Sequence, residues 1–247
     1  FTSVTVPPLL NGLLLSFKLN ECRLLFTSVT VPPLLNGLLL SFKLAGGILL
    51  ASLVAGTILA LLKTYAGKLI GAVVTIYVEI FRNTPILFWI TVCFIALPVG
   101  NQYIRASAGL FLASTATICE IVRGGLNSIG KGQIEAGKSQ GLSRLQIIYA
   151  IILPQCLRRV VPNLINQTIS VFKDTSFFGQ VAIMEFLYCS RKLLGTANKY
   201  TGHGIGAMDA FIIFGAAAAV YFIINLLLST IMRAIEMHGN KGKVVVK

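Results

Sequence analysis

The stretch with the most explicit chemistry is a phosphate-binding pattern. Gly132, four further residues and Gly137-Lys138-Ser139 fit GxxxxGK[ST] in full, the arrangement in which backbone amides and a lysine cradle the phosphates of a nucleotide. Such a loop must join a buried β-strand to a helix. Here the residues before Gly132 are the end of an apolar helical run and the turn Arg123-Gly124-Gly125. No other part of the chain supplies a soluble α/β core or an apolar strand ending in a magnesium-binding Asp. The context argues against a nucleotide site and leaves a membrane-bound nucleotide-binding protein as the alternative reading.

Other ionisable residues stand at the ends of apolar runs. Glu79 with Arg82, and Glu120 with Arg123, are opposite charges three residues apart, the spacing of neighbours on a helix. Such pairs serve more often as gates or topology anchors than as ligand contacts. Asp174 follows a moderately apolar stretch carrying Asn163, Asn166, Gln167, Thr168 and Ser170, polarity that belongs on a bundle interior or a cavity wall. Glu185 is a weaker acidic candidate, and His203, between two glycines, reads as a loop residue. The five cysteines, Cys22, Cys93, Cys119, Cys156 and Cys189, lie far apart without a CxxC pair, and there are only two histidines. No metal site or disulfide framework follows, and the thiols read as small core residues.

The elements that must position these residues are membrane spans. A chain of 247 residues that is 55% apolar and 12% charged, with a mean hydropathy of +0.83, lies outside the range of soluble domains. Its net charge of +13 would suggest nucleic acid in a soluble protein; with long apolar runs it becomes a topology signal instead. A span needs about 20 apolar residues, which predicts crossings over residues 34–62, 85–97, 103–122, 157–172 and 210–232. Residues 69–81 read as an interfacial helix cut off by Pro85, since proline removes a backbone hydrogen bond. Arg123, Lys131, Lys138, Arg144, Arg158 and Arg159 put the loop 123–154 in the cytoplasm, with Lys63 and Lys68 in agreement. Arg233, Lys241, Lys243 and Lys247 put the carboxyl end and the basic tail 236–247 there too, whereas Arg191, Lys192 and Lys199, in an outer segment, count against the rule. The expected architecture is an all-α polytopic membrane protein with five crossings.

Residues 1–19 recur letter for letter as residues 26–44. True internal repeats diverge and recur as structural units, so the head 1–25 reads as a recent duplication or an artefact, artefactual or disordered, and the transmembrane domain as 26–235. Its first copy runs into Asn20-Glu21-Cys22-Arg23 and is too short to span.

The loop also supports a second reading that uses more of its letters. Glu135-Ala136-Gly137, three residues, Gly141, nine residues and Ile151-x-Leu153-Pro154 resemble the EAA signature of ABC importer permeases, with Gly137 where that pattern has alanine. The exchange weakens a helix by about 1 kcal/mol at most. Ala136-Gly137 permits close packing, Glu135 offers a charged anchor, and Gly141 allows a left-handed turn. The segments Tyr77-Val78-Glu79-Ile80-Phe81-Arg82-Asn83-Thr84-Pro85, Glu120-Ile121-Val122-Arg123-Gly124-Gly125, Leu153-Pro154-Gln155 and Lys173-Asp174-Thr175-Ser176 are similar to the polar amino-acid branch of that family, over roughly residues 34–235.

The resemblance implies the type I importer fold with a cytoplasmic coupling helix, in a bacterial inner membrane. It implies a second permease subunit, identical or homologous, separate ABC ATPase subunits that use ATP and magnesium, and an extracytoplasmic amino-acid binding protein. The chain itself would bind no cofactor and catalyse no reaction. Glu135, Ala136, Gly137, Gly141 and Leu142 are the expected docking residues, and an interfacial helix on a membrane scaffold without a partner is the alternative. A polar amino acid, of the glutamine or glutamate type, needs an acidic group and donors at its site. Asp174, Thr175 and Ser176 are expected to supply them, or else Asp174 pairs with Lys173 or an arginine from another span; Glu79, Arg82, Glu120 and Arg123 are expected at the gates.

Overall fold

The computed structural model describes residues 23–240 except His203, with side chains through residue 234. The first 22 residues, His203 and the lysines from 241 onward therefore lie outside the described residues. Helix α1 is Val31–Tyr65, α2 Lys68–Asn83, α3 Ile86–Ala96, α4 Gln102–Asn127 and α5 Lys131–Ser139. Helix α6 comprises Arg144–Gln146, a π-helical stretch Ile147–Ile152 and Leu153–Asp174, and runs on into the 3-10 segment Thr175–Val181. Helix α7 is Phe186–Gly195, α8 Asn198–Thr201 and α9 Ala207–Asn240. The described residues contain helices and connections and no strand.

Helices α1, α4, α6 with its 3-10 extension, and α9 are each long and apolar enough to cross a membrane. The expected span 85–97 does not stand alone. Helix α3 has 11 residues, about 16 Å at 1.5 Å per residue, against a hydrocarbon core of about 30 Å. It reaches spanning length only together with α2, from which it is bent by 105°. The bend lies at Thr84, held extended at φ -111° and ψ 142°, because the ring of Pro85 excludes helical geometry from the residue before it.

Two further expectations change. Arg123-Gly124-Gly125 is helix and not turn, since α4 continues to Asn127. A Cβ on Gly125 would collide with Val160 and lie 2.9 Å from the Cys156 Sγ; the bare backbone is what lets α6 cross α4 this closely. The polar helix also begins well before residue 157. Pro154 has no N–H to donate and its ring crowds the preceding turn, and the wider π-helical turn just before it absorbs both effects.

Small and branched side chains fill the interior. One cluster, with Val78, Cys119, Val122, Ile152 and Cys156, joins α1, α2, α4 and α6 around the loop end. Another, with Ile90, Leu110, Phe172 and Phe178, fills the opposite half. A third packs α7 and α9 on the start of α1 through Phe186, Leu193 and Ile213. Cys93, Cys119 and Cys156 are buried free thiols.

Glu185 starts α7 as its N-cap. Its fully buried carboxylate accepts from the Leu187 N–H at 2.8 Å and the Tyr188 N–H at 2.6 Å. Burial pushes the Glu185 carboxyl up to about 7, against the lowering effect of those two donors and of the Arg191 charge. The folded protein thus holds this proton more tightly than the unfolded chain, whose ordinary value is 4.5. Stability from this group is complete below about 4.5 and is lost as pH rises toward 7. Thermal melting of the detergent-solubilised chain should fall over that interval by on the order of 1–3 kcal/mol, and Glu185→Gln should flatten the fall; an equally steep fall in the variant would refute the assignment.

Candidate functional site

The residues Glu135 to Leu142 form a short helix closed by a defined turn. Helix α5 closes in a Schellman cap: the Gly141 N–H donates to the Lys138 carbonyl at 2.9 Å and the Leu142 N–H to the Gly137 carbonyl at 3.1 Å. That cap requires the left-handed φ of +76° found at Gly141, which glycine adopts without strain. Ser143 then opens α6 with a capping box to Gln146. Glu135 and Ala136 are exposed, while Gly137 is buried, and a Cβ there would stand 2.8 Å from Ile147 Cγ1. The departure from alanine at Gly137 thus seats α5 on the π-helical stretch. Gly132 to Ser139 lie in this helix, so the amides from Gln133 onward, that of Gly137 included, are committed to hydrogen bonding within it, and the Ser139 hydroxyl donates to the Glu135 carbonyl at 3.0 Å. A phosphate cradle would need those amides free and converging.

Close by, Glu120 gathers three cations. Lys63 Nζ on α1 stands 2.7 Å from Oε1, Arg123 Nη2 2.7 Å from Oε2, and Arg82 Nη1 on α2 4.0 Å from Oε2. The Arg123 Nε also donates to both carboxylate oxygens. The carboxylate is 15% exposed, so its charge is held by protein partners more than by water. The expected pairing of Glu79 with Arg82 is replaced: exposed Glu79 accepts from Asn83 at 2.6 Å, and Arg82 turns toward Glu120. Lys63, 57 positions away in sequence, is a member that the spacing of charges alone does not reveal.

A cavity of about 360 Å³ opens between α2, α3, α4 and α6, and it contains Arg82 and Asp174 together with Ser114, Thr117, Gln167 and Ser170. The polar residues recur at 114 and 117 on α4 and at 167, 170 and 174 on α6, one face of each helix. Among the described residues Asp174 forms no ion pair, with Lys173 or with any arginine. The Ser114 hydroxyl, 2% exposed, has no hydrogen-bond partner among the described residues. Thr175 and Ser176 do not share the site. Thr175 is fully buried and its hydroxyl donates to the Phe172 carbonyl at 2.7 Å, and Ser176 is half-buried outside the cavity. The turn into the 3-10 segment carries both away from the face that Asp174 shares with Gln167 and Ser170.

Four or five helical crossings, a cavity of mixed charge between them, and a short capped helix on the connecting loop are the build of a multi-pass transport permease. The chain belongs to the family described as binding-protein-dependent transport system inner membrane component, which matches residues 47–238. It is 36% identical over 189 residues to the probable glutamine ABC transporter permease protein GlnP of Bacillus subtilis (strain 168), covering 75% of this chain and 82% of that one. It is 35% identical over 199 residues to the glutamine transport system permease protein GlnP of Escherichia coli (strain K12), with 78% and 84% covered. Its backbone superposes on a crystal structure of an amino acid ABC transporter with histidines at a TM-score of 0.71 and 23% identity, over 84% of this chain and 94% of that one. An inward-facing structure of the MetNI methionine ABC transporter gives 0.66 at 19% identity, over 85% and 99%. The fold is that of the type I importer permeases. Membership makes the chain a multi-pass inner-membrane subunit of a system that works with a binding protein and ABC ATPases.

Removing the Glu120 charge leaves three cations facing one another. Glu120→Gln is expected to destabilise the protein by on the order of 2–4 kcal/mol, while Glu79→Gln, at an exposed site, should stay within about 0.5 kcal/mol of wild type. Thermal unfolding of the two variants in the same detergent distinguishes them; equal melting would mean that Glu120 holds nothing together.

Proposed function

We propose that this chain is the permease subunit that carries a polar amino acid, of the glutamine type, across the cytoplasmic membrane, driven by ATP hydrolysed on separate ATPase subunits. The cavity that holds Asp174 and Arg82 in one enclosure carries the reading. A free amino acid presents an ammonium and a carboxylate, and burying the two is costly unless each meets an opposite charge. Asp174 is the proposed partner of the ammonium and Arg82 of the carboxylate, with Ser114 and Gln167 as hydrogen-bonding groups. At 4.0 Å, Arg82 is the most loosely held of the three cations around Glu120, and it can turn to a substrate carboxylate while Lys63 and Arg123 keep Glu120 paired. The names of the relatives, both glutamine permeases, support the choice among polar amino acids.

Glu135, Ala136, Gly137, Gly141 and Leu142 form the proposed ATPase dock, with Glu135 and Ala136 as its exposed face and Gly137 and Gly141 fixing its shape. The loop and the carboxyl end face the cytoplasm, and a second permease subunit completes the pathway. The chain binds no nucleotide and makes or breaks no bond. ATP acts through the partner, by binding one state of the assembly better than the other. Glu120 with Arg123, beside the dock, brace the spans that must rock.

The test is uptake of labelled glutamine into proteoliposomes holding the assembled transporter, its ATPase and its binding protein. Asp174→Asn should lower uptake at limiting glutamine at least tenfold while leaving the assembly intact. Glu135→Lys should abolish the ATPase stimulation by loaded binding protein. Wild-type uptake in the first variant sinks the cavity assignment, and normal stimulation in the second sinks the dock.

A further inference from the structure

A second cavity, of about 350 Å³, lies under the loop, where α5 and the start of α6 meet the end of α1. Its apolar wall is made by Ile134, Ile147 and Ile148, and its polar groups are Lys138, Arg144 and Tyr65. Arg144 is already oriented: its Nη2 donates to the Tyr65 carbonyl at 3.2 Å, and its guanidinium stands 5.8 Å over the Tyr65 ring. That contact satisfies one of the orphan carbonyls at the end of α1 and leaves further guanidinium N–H groups available. None of the lining side chains is acidic, and among the described residues neither Lys138 nor Arg144 forms an ion pair. Two cations without a counter-charge thus sit over a hydrocarbon wall.

The level of the cavity in the bilayer decides what anion fits. Tyr65 is the last residue of a helix long and apolar enough to cross the membrane, and tyrosine, lysine and arginine at the end of such a helix mark the headgroup layer. Beside the cavity, on the same stretch of α6, Leu145 and Tyr149 are 67% and 62% exposed, an apolar surface suited to acyl chains and not to water. We infer that this cavity binds an anionic phospholipid, with the headgroup phosphate between Lys138 and Arg144 and the upper part of an acyl chain along the isoleucines. Only the choice of leaflet rests on the cytoplasmic placement of the loop proposed above. Because Lys138 belongs to α5, Arg144 and the isoleucines to α6, and Tyr65 to α1, the lipid would brace the docking helix against two spans.

Lipid retention tests this directly. The full-length chain is placed in nanodiscs of phosphatidylcholine containing a minor fraction of phosphatidylglycerol, transferred to detergent, and its retained lipids are counted by native mass spectrometry. Wild type should retain phosphatidylglycerol over phosphatidylcholine by about thirtyfold relative to the supplied ratio, as two cations at a headgroup imply. Lys138→Gln and Arg144→Gln should each reduce that preference several-fold. Lys68→Gln, which removes an exposed cation just past the end of α1 that does not line the cavity, should keep it. Lys138 is exposed, so its variant reports on the site even if Arg144→Gln loosens the end of α1. No preference in wild type, or an undiminished one in Lys138→Gln, overturns the inference. Displacement of the retained lipid by inorganic phosphate also overturns it, in favour of a soluble anion. Since retained lipid and not uptake is measured, a negative result leaves the transport reading standing.

Discussion

A carboxylate set among membrane helices must be matched by cations, and at Glu120 that requirement draws three helices to one point. Lys63 comes from α1, Arg82 from α2 and Arg123 from α4 itself. The pair within α4 is local and would form in an isolated helix. The other two are tertiary: the 2.7 Å contact of Lys63 fixes the rotation of α1, because a lysine turned away would leave the apolar bilayer facing a charge, and Arg82, at 4.0 Å, orients α2 more loosely. Once α1 and α2 are fixed in this way, the 105° bend at Thr84 and Pro85 aims α3 back toward α4. The polar residues of α4 and α6 are left to line a cavity beside the cluster. Arg82 belongs to both places, which makes the cavity and the charge cluster one electrostatic unit.

The close approach this demands is supplied by absent side chains. A Cβ on Gly56 would lie 2.8 Å from Ile118 Cγ2, and one on Gly109 would overlap the backbone of Trp89. With Gly125 under Val160 and Gly137 under Ile147, the glycines sit where two helices need to touch. In lipid the hydrophobic effect gives no advantage to helix contact over lipid contact, so association depends on packing and on polar contacts between helices. A glycine's helix propensity, a weakness in water, matters less where hydrocarbon offers its backbone no competing hydrogen bonds.

That difference between solvents also explains which parts of the structure were legible in the amino-acid order. Helices α1, α4 and α9 announce themselves by long apolar windows, and the break at Pro85 follows from proline's own geometry. Gly124-Gly125 reads as a turn by the rules of soluble helices and is instead helix, with Gly125 as its packing surface. The early start of α6 is hidden by Arg144 and Gln146, whose polarity resembles a loop until Ser143 is seen to cap them. At the site, Glu120 with Arg123 and the polar face of α6 were visible as spacings, whereas Lys63 and the turning of Arg82 away from Glu79 depend on how distant helices meet. Thr175 and Ser176 were grouped with Asp174 by adjacency. Adjacency fails there because successive helical residues point about 100–120° apart, in the α-helix as in the 3-10 segment.

The loop shows the same limit at its sharpest. Residues 132–139 satisfy a phosphate-binding pattern letter for letter, and residues 135–154 satisfy a docking pattern with one exchange. The patterns differ in what they ask of the backbone. A phosphate loop needs its amides unpaired and pointed inward, with a sheet behind them; a docking element needs a short helix, a left-handed residue to end it, and a firm seat. The second set of demands is met in detail, by the cap at Gly141 and the contact of Gly137 with Ile147. The glycine that departs from the docking pattern is the same residue that completes the phosphate pattern, and its bare backbone is used for packing. The letters left two chemistries open; the helical conformation argues against the phosphate loop and is compatible with the docking proposed above.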